Sequence, residues 1–277
     1  MEYTLSNGLI AALAIELVFV VALPIALLVR WCRRSHANLL PAVVGMVVFI
    51  VFAQMLEQIL HYACLLSNNP LSRAITGNPW LYALYGGVAA ALFEETGRFM
   101  GFKYLLRRHP ERETAITYGL GHGGYECLAL AGLATLSYLV LALFLRSGAV
   151  PALMENFNET ETAAVQEVLS QVAAITPSAC LWGAVERAAA LVLHVSLSVL
   201  VFASVWQPER GALYLAAMGL HLAANFPAGL YQAGLLSGPR GMAAAELLTI
   251  AVSVAAALLA RRIWRQLPPT EGKISMP

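Results

Sequence analysis

Aspartate is absent from the sequence: all sixteen acids are glutamate. Charge of either sign is scarce, at 12% of 277 residues, about half the fraction of an ordinary soluble domain. Net charge is +1 with no basic tail, which argues against nucleic acid as a partner. The four cysteines, Cys32, Cys64, Cys127 and Cys180, form no C-x-x-C pair, so neither a thiolate metal site nor a disulfide framework is indicated. No H-E-x-x-H occurs, which sets aside a zincin-type site. The chain shows no internal repeat, and repeated halves are what a proton-coupled transporter would be expected to carry.

What the sequence has in abundance is hydrocarbon. It is 59% hydrophobic with a mean hydropathy of +0.69, and apolar runs of about 20 residues recur along its length. These features predict an all-α, polytopic helical membrane protein, forming one integral domain over 1–277 and multi-pass in the plasma membrane. Seven spans are marked off at about 6–30, 39–66, 80–106, 114–146, 177–206, 211–236 and 241–264. The first lacks a basic leader and a cleavage site and reads as a span that stays. Lysine and arginine set the orientation. With the N-terminus outside, twelve fall on the inner side, three on the outer, and Arg98 and Arg187 within spans. This bias predicts N-out, C-in, and an even number of spans would break it. The outer loop, 147–176, carries Val165, Leu169, Val172 and Ile175 at helical spacing and predicts an amphipathic helix around 152–175. A disordered tail is expected over about 268–277.

Ionisable groups inside a bilayer are expensive, about 2.5–3.5 kcal/mol each at the centre on insertion scales. Spans three to six nevertheless carry Glu94, Glu95, Arg98, His122, Glu126, Glu186, Arg187, His194 and His221. At a rise of 1.5 Å per residue, Glu94, Glu95, Glu126 and His194 lie about 18 Å from the inner ends of their spans, His122 about 12 Å and His221 about 15 Å. Four successive helices thus bring polar side chains to one level, the mark of a site. His122 and Glu126 share a helix face, as do His221 and Asn225. Pro227 frees the Ala223 carbonyl beside them. Arg98 is spaced to pair with Glu94 or Glu95, leaving the other free. Glu186 and Arg187 sit higher and read as a bracing ion pair. Glu16, Glu57, His61 and Glu246 read as packing or outer-end groups.

This constellation suits two related chemistries. His122, His194 and His221 can hold zinc with one position open for water, and Glu94 or Glu126 then serves as base or further ligand. Without metal, a desolvated Glu94 can take a proton from water with help from His122, while His221 and Asn225 stabilise the oxyanion. Either arrangement hydrolyses a peptide bond of a membrane peptide or protein.

The motifs EETGR (94–98), GHGGYE (121–126), ERAAALVLH (186–194) and HLAAN (221–225) together resemble the YhfC family of intramembrane proteases. That family is similar to a superfamily of CAAX prenyl endopeptidases, bacteriocin-processing enzymes and PrsW-type proteases. The resemblance spans about 80–230 and implies a catalytic core over about 80–236. It implies Glu94 as catalytic glutamate, with Glu95 and Arg98 as its partners, His122 as the second-motif histidine, and His221 and Asn225 as the final element. In the prenyl endopeptidases three residues separate the paired glutamates from the arginine, whereas here only Thr96 and Gly97 do. Which glutamate faces water is therefore left open. His194 and Glu126 have no firm counterpart in that group. The superfamily also includes the seven-span scaffold subunit of gamma-secretase, so a non-catalytic scaffold is one alternative reading, and a proton-coupled transporter using the same acids and histidines as a relay is the other.

Overall fold

The computed structural model describes residues 6–269, apart from the side chains of Pro151 and Leu153; residues 270–277 of the expected tail lie outside the described residues. The described chain is helical throughout, with no strand among its elements. In order, the helices are α1 (Asn7–Ser35), α2 (Leu40–Leu66), α3 (Pro70–Thr76), α4 (Pro79–Met100, continued by the π turn Gly101–Leu105), α5 (Glu113–Ser147), α6 (Val150–Leu153), α7 (Glu159–Ala174), α8 (Pro177–Trp206), α9 (Ala212–Gln232) and α10 (Gly238–Trp264). This is the polytopic helical membrane protein that the apolar runs predict.

Helices α1, α2, α5, α8, α9 and α10 are long and apolar enough to cross a bilayer. The remaining long helix, α4, has the length, but Glu94, Glu95, Arg98 and Lys103 dilute its apolar character. Its acids and Arg98 are buried rather than turned to lipid, Glu95 and Arg98 wholly so, while Lys103 near its end is exposed. Apolar side chains point outward instead, including Ile15, Val18, Ile59, Leu66 and Leu258, each more than 60% exposed. In water such a surface would drive aggregation; in lipid it is the solvated face.

Two compact units divide the chain. One comprises residues up to Leu23 with Cys127–Arg187, and the other Pro24–Glu126 with the residues from Ala188 onward. In the first, Leu169 and Val172 of α7 pack with Leu9, Leu13, Ala142 and Leu145. The amphipathic spacing of the outer loop thus produces a helix that buries its apolar stripe on protein. Asn158 caps α7 by accepting from the Glu161 backbone N–H at 2.9 Å, while the Glu161 side chain accepts from the Asn158 N–H. Glu16 and Gly183 meet closely in this unit, since a Cβ on Gly183 would lie 2.5 Å from Glu16 Oε1.

The second unit carries the larger core, built around Phe102, Tyr118, Leu197, Leu200, Phe202 and Ala256. Here α2 and α5 approach at backbone distance. A Cβ on Gly121 would sit 2.1 Å from the Ala42 carbonyl, and one on Gly45 would sit 2.5 Å from that of Tyr118. Only glycine permits that separation. Four π-helical stretches interrupt the spans: Ile50–Leu56, Tyr62–Leu66, Gly101–Leu105 and Cys127–Gly132. Such stretches concentrate at functional sites, because each widens the helix and re-aims the side chains beyond it.

Candidate functional site

The polar side chains of α4, α5, α8 and α9 converge inside the second unit. Glu94 and Glu95 enter from α4 as neighbours pointing to different partners. Glu95 accepts from Arg98 Nη1 through both carboxylate oxygens, at 2.8 and 2.9 Å, and from His221 Nδ1 at 2.7 Å. Arg98 therefore pairs with Glu95, and Glu94 is the glutamate left to face the histidines. Glu94 Oε2 lies 2.9 Å from His122 Nε2 and 3.9 Å from His194 Nδ1, and Glu94 Oε1 lies 3.8 Å from His221 Nε2.

The hydrogen bonds fix proton positions. A guanidinium has no acceptor, so Arg98 Nη2 donates to His194 Nδ1 at 3.0 Å. The His194 proton then sits on Nε2, which faces Glu126 Oε2 at 2.5 Å. His122 and Glu126, one turn apart on α5, thus each take a partner from another helix. The three imidazoles form a continuous cluster, with ring centroids 5.1 Å apart for His122–His194 and 5.3 Å for His194–His221. Aromatic walls hold them: Phe49 stands edge-on to His122 at 5.2 Å, and Tyr118 stacks against it at 5.8 Å. Gly123 lets α5 reach α8, since a Cβ there would lie 2.8 Å from His194 Cβ.

Ligand atoms of Glu94, His122 and His194, all buried, lie within 4.8 Å of one another. A carboxylate thus joins two histidines where the sequence suggested three, because His221 is turned to Glu95 through Nδ1. One carboxylate and two imidazoles form a familiar three-residue set for catalytic zinc. Two further observations fit a divalent cation. His122 Nδ1 is buried with no hydrogen-bond partner. Three carboxylates and three imidazoles face one guanidinium here, a surplus of anionic and lone-pair donors that a divalent cation would offset in a low-dielectric interior.

The other sequence candidates are placed as follows. Asn225 lies one turn beyond His221 on α9, half-buried, and none of the described hydrogen bonds involves it. Glu186 and Arg187 belong to the first unit and pair with each other in bidentate fashion. Glu57 and His61 do more than pack: Glu57 Oε1 lies 3.2 Å from His61 Nε2, and His61 Nδ1 lies 2.8 Å from the Tyr85 hydroxyl. The four-residue spacing of Glu57 and His61 carried that signal. Phe49 and Tyr118 went unmarked in the sequence because apolar spans are full of aromatics.

A buried Glu/His cluster with a metal-type ligand set, deep among membrane-crossing helices, defines an integral membrane protein with a candidate metal centre. The chain belongs to the YhfC family, described as YhfC intramembrane metalloprotease, and matches it over residues 19–249. It is 31% identical over 262 residues to the uncharacterized membrane protein YhfC of Bacillus subtilis (strain 168), covering 94% of this chain and 99% of that protein. No solved structure matches it.

Proposed function

We propose that the chain is a zinc-dependent intramembrane endopeptidase, hydrolysing a peptide bond of a membrane-embedded or membrane-associated substrate. The observation that carries this reading is the meeting of Glu94, His122 and His194 ligand atoms within 4.8 Å, in a family described as metalloprotease. Those three residues would hold the metal. Zinc bound there supplies Lewis acidity and a water that ionises near neutral pH.

The surrounding residues divide the remaining tasks. Glu126 Oε2 stands 2.5 Å from His194 Nε2 and so favours the ring orientation that puts Nδ1 toward the Glu94 side. Were His194 to hold the metal, Arg98, which now donates to its Nδ1, would be released to serve Glu95 alone. Arg98 balances Glu95, and Glu95 holds the Nδ1–H of His221. That leaves His221 Nε2 with its lone pair toward Glu94, placed to take a proton from the attacking water and return it to the leaving amine. The logic is that of a carboxylate orienting a histidine base. Asn225 offers its amide to the oxyanion as it develops.

A second reading rests on one contact. Glu94 and His122 are in direct hydrogen bond at 2.9 Å, the pair that a metal-free glutamic hydrolase would use to deprotonate water. Metal content and cleavage of labelled membrane peptides, measured on the purified chain, separate the two. Stoichiometric zinc, with cleavage lost to a chelator and restored by zinc, is the expected outcome. Cleavage without metal would transfer the proposal to the second reading. Failure to cleave in either state, with Glu94→Gln changing only stability, would leave a scaffold.

A further inference from the structure

Away from the histidine cluster, the second unit holds a groove of about 390 Å³ where α9 begins and α10 ends. Its floor is apolar, made by Leu213, Leu259 and Ile263, and its polar lining consists of Arg210, Arg262 and Gln266. No acid lines it. Neither arginine forms an ion pair with a described carboxylate, and Glu209, next to Arg210 in the turn Pro208–Arg210, is exposed.

The turn itself is short of partners. Arg210 Nη1, Trp206 Nε1 and Gln207 Oε1 are each buried without a hydrogen bond. Buried polar atoms are almost always satisfied, and three orphans within five residues are far above the usual few per 100 residues. Two of them are donors, and one belongs to a guanidinium that lines the groove. A second guanidinium, Arg262, lines the same groove from α10.

We propose that this groove binds an anionic phospholipid, its phosphate held between Arg210 and Arg262 and the start of its acyl chain laid over Leu213, Leu259 and Ile263. Charge complementarity selects the headgroup, since two forked donors facing no acid match phosphate oxygens. The apolar floor selects a lipid over a soluble anion, which would gain nothing from it. Position agrees: the lysine and arginine distribution assigns this end of the helices to the inner face, where anionic headgroups draw basic side chains.

The test uses the full chain purified in zwitterionic detergent. Bound lipid is read by native mass spectrometry and thermal unfolding after adding phosphatidylglycerol, phosphatidylcholine of the same chains, or inorganic phosphate. Phosphatidylglycerol alone is expected to be retained and to raise the unfolding midpoint. Arg210→Gln and Arg262→Gln should each weaken retention about fivefold, while Arg240→Gln, in the first turn of α10 at its other end, should not. Equal retention of both lipids would overturn the proposal, as would unchanged retention in the arginine variants. A shift with inorganic phosphate as large as with lipid would show a soluble-anion site and overturn it too. Arg262 is exposed, so its variant carries the test should Arg210→Gln fail to fold.

Discussion

His194 Nε2 and the Glu126 carboxylate meet at 2.5 Å, bringing α8 to α5, while Arg98 donates to Nδ1 on the other side of the ring. A carboxylate behind a ligating histidine raises its basicity and locks its tautomer. Glu126→Gln should therefore lower zinc affinity about 10- to 100-fold with little change in thermal stability. Competition against a chromophoric chelator measures this, and unchanged affinity would remove Glu126 from the site.

Glu94 and His122 are expected to fail together. Glu94→Gln and His122→Ala should each abolish peptide cleavage and reduce bound zinc, and the double variant should be no worse than either single. Residues that act as one unit behave in this way. Independent, additive losses in cleavage assays would show that the two do not share a centre.

Arg98 and Glu95 are wholly buried partners. Removing only the cation leaves an uncompensated carboxylate, which costs about 3–5 kcal/mol. Arg98→Leu should fold poorly, whereas Arg98→Leu with Glu95→Gln should recover much of the loss. Thermal unfolding in detergent compares the three, and a double variant no better than the single would mean that the pair carries no such coupling.

Gly121 and Gly219 provide a contrast within one experiment. A Cβ at Gly121 collides with Ala42 Cα at 2.4 Å, while one at Gly219 meets nothing within 4 Å. Gly121→Ala should force α2 and α5 apart and cost about 1–3 kcal/mol. Gly219→Ala should be neutral or mildly stabilising. Similar midpoints for both would show that α2 and α5 separate freely.

The charge bias also makes a checkable statement about topology. A reporter fused after Trp264 should read cytoplasmic, and one placed between α7 and α8 should read external. The opposite pattern would reverse the orientation read from the lysines and arginines.

The spans were legible because lipid leaves a helix no choice but apolar length. Six of the seven expected spans are apolar enough to cross, and α4, too charged to count with them, announced itself as a helix by its run before Glu94. The gathering of His122, His194 and His221 was legible too, through depth alone. Partner choice was not. Spacing describes one helix, whereas the pairing of His122 with Glu94, and of Glu126 with His194, depends on how neighbouring helices are rotated about their axes. That rotation is set by contacts such as Gly45 on Tyr118 and Gly123 on His194, which no periodicity encodes. Tyr85, whose hydroxyl completes the chain from Glu57 and His61, gave no signal, since a tyrosine in a span is commonplace.

The π turn Cys127–Gly132 lies immediately after Glu126. A wider turn of this kind inserts one extra residue, which shifts the angular phase of everything downstream by about 100°. A helical wheel drawn straight through Glu113–Ser147 would thus assign Leu133–Ser147 to the wrong side. Deleting a single residue within 127–132 should swing that distal half round as a block, leaving His122 and Glu126 where they are.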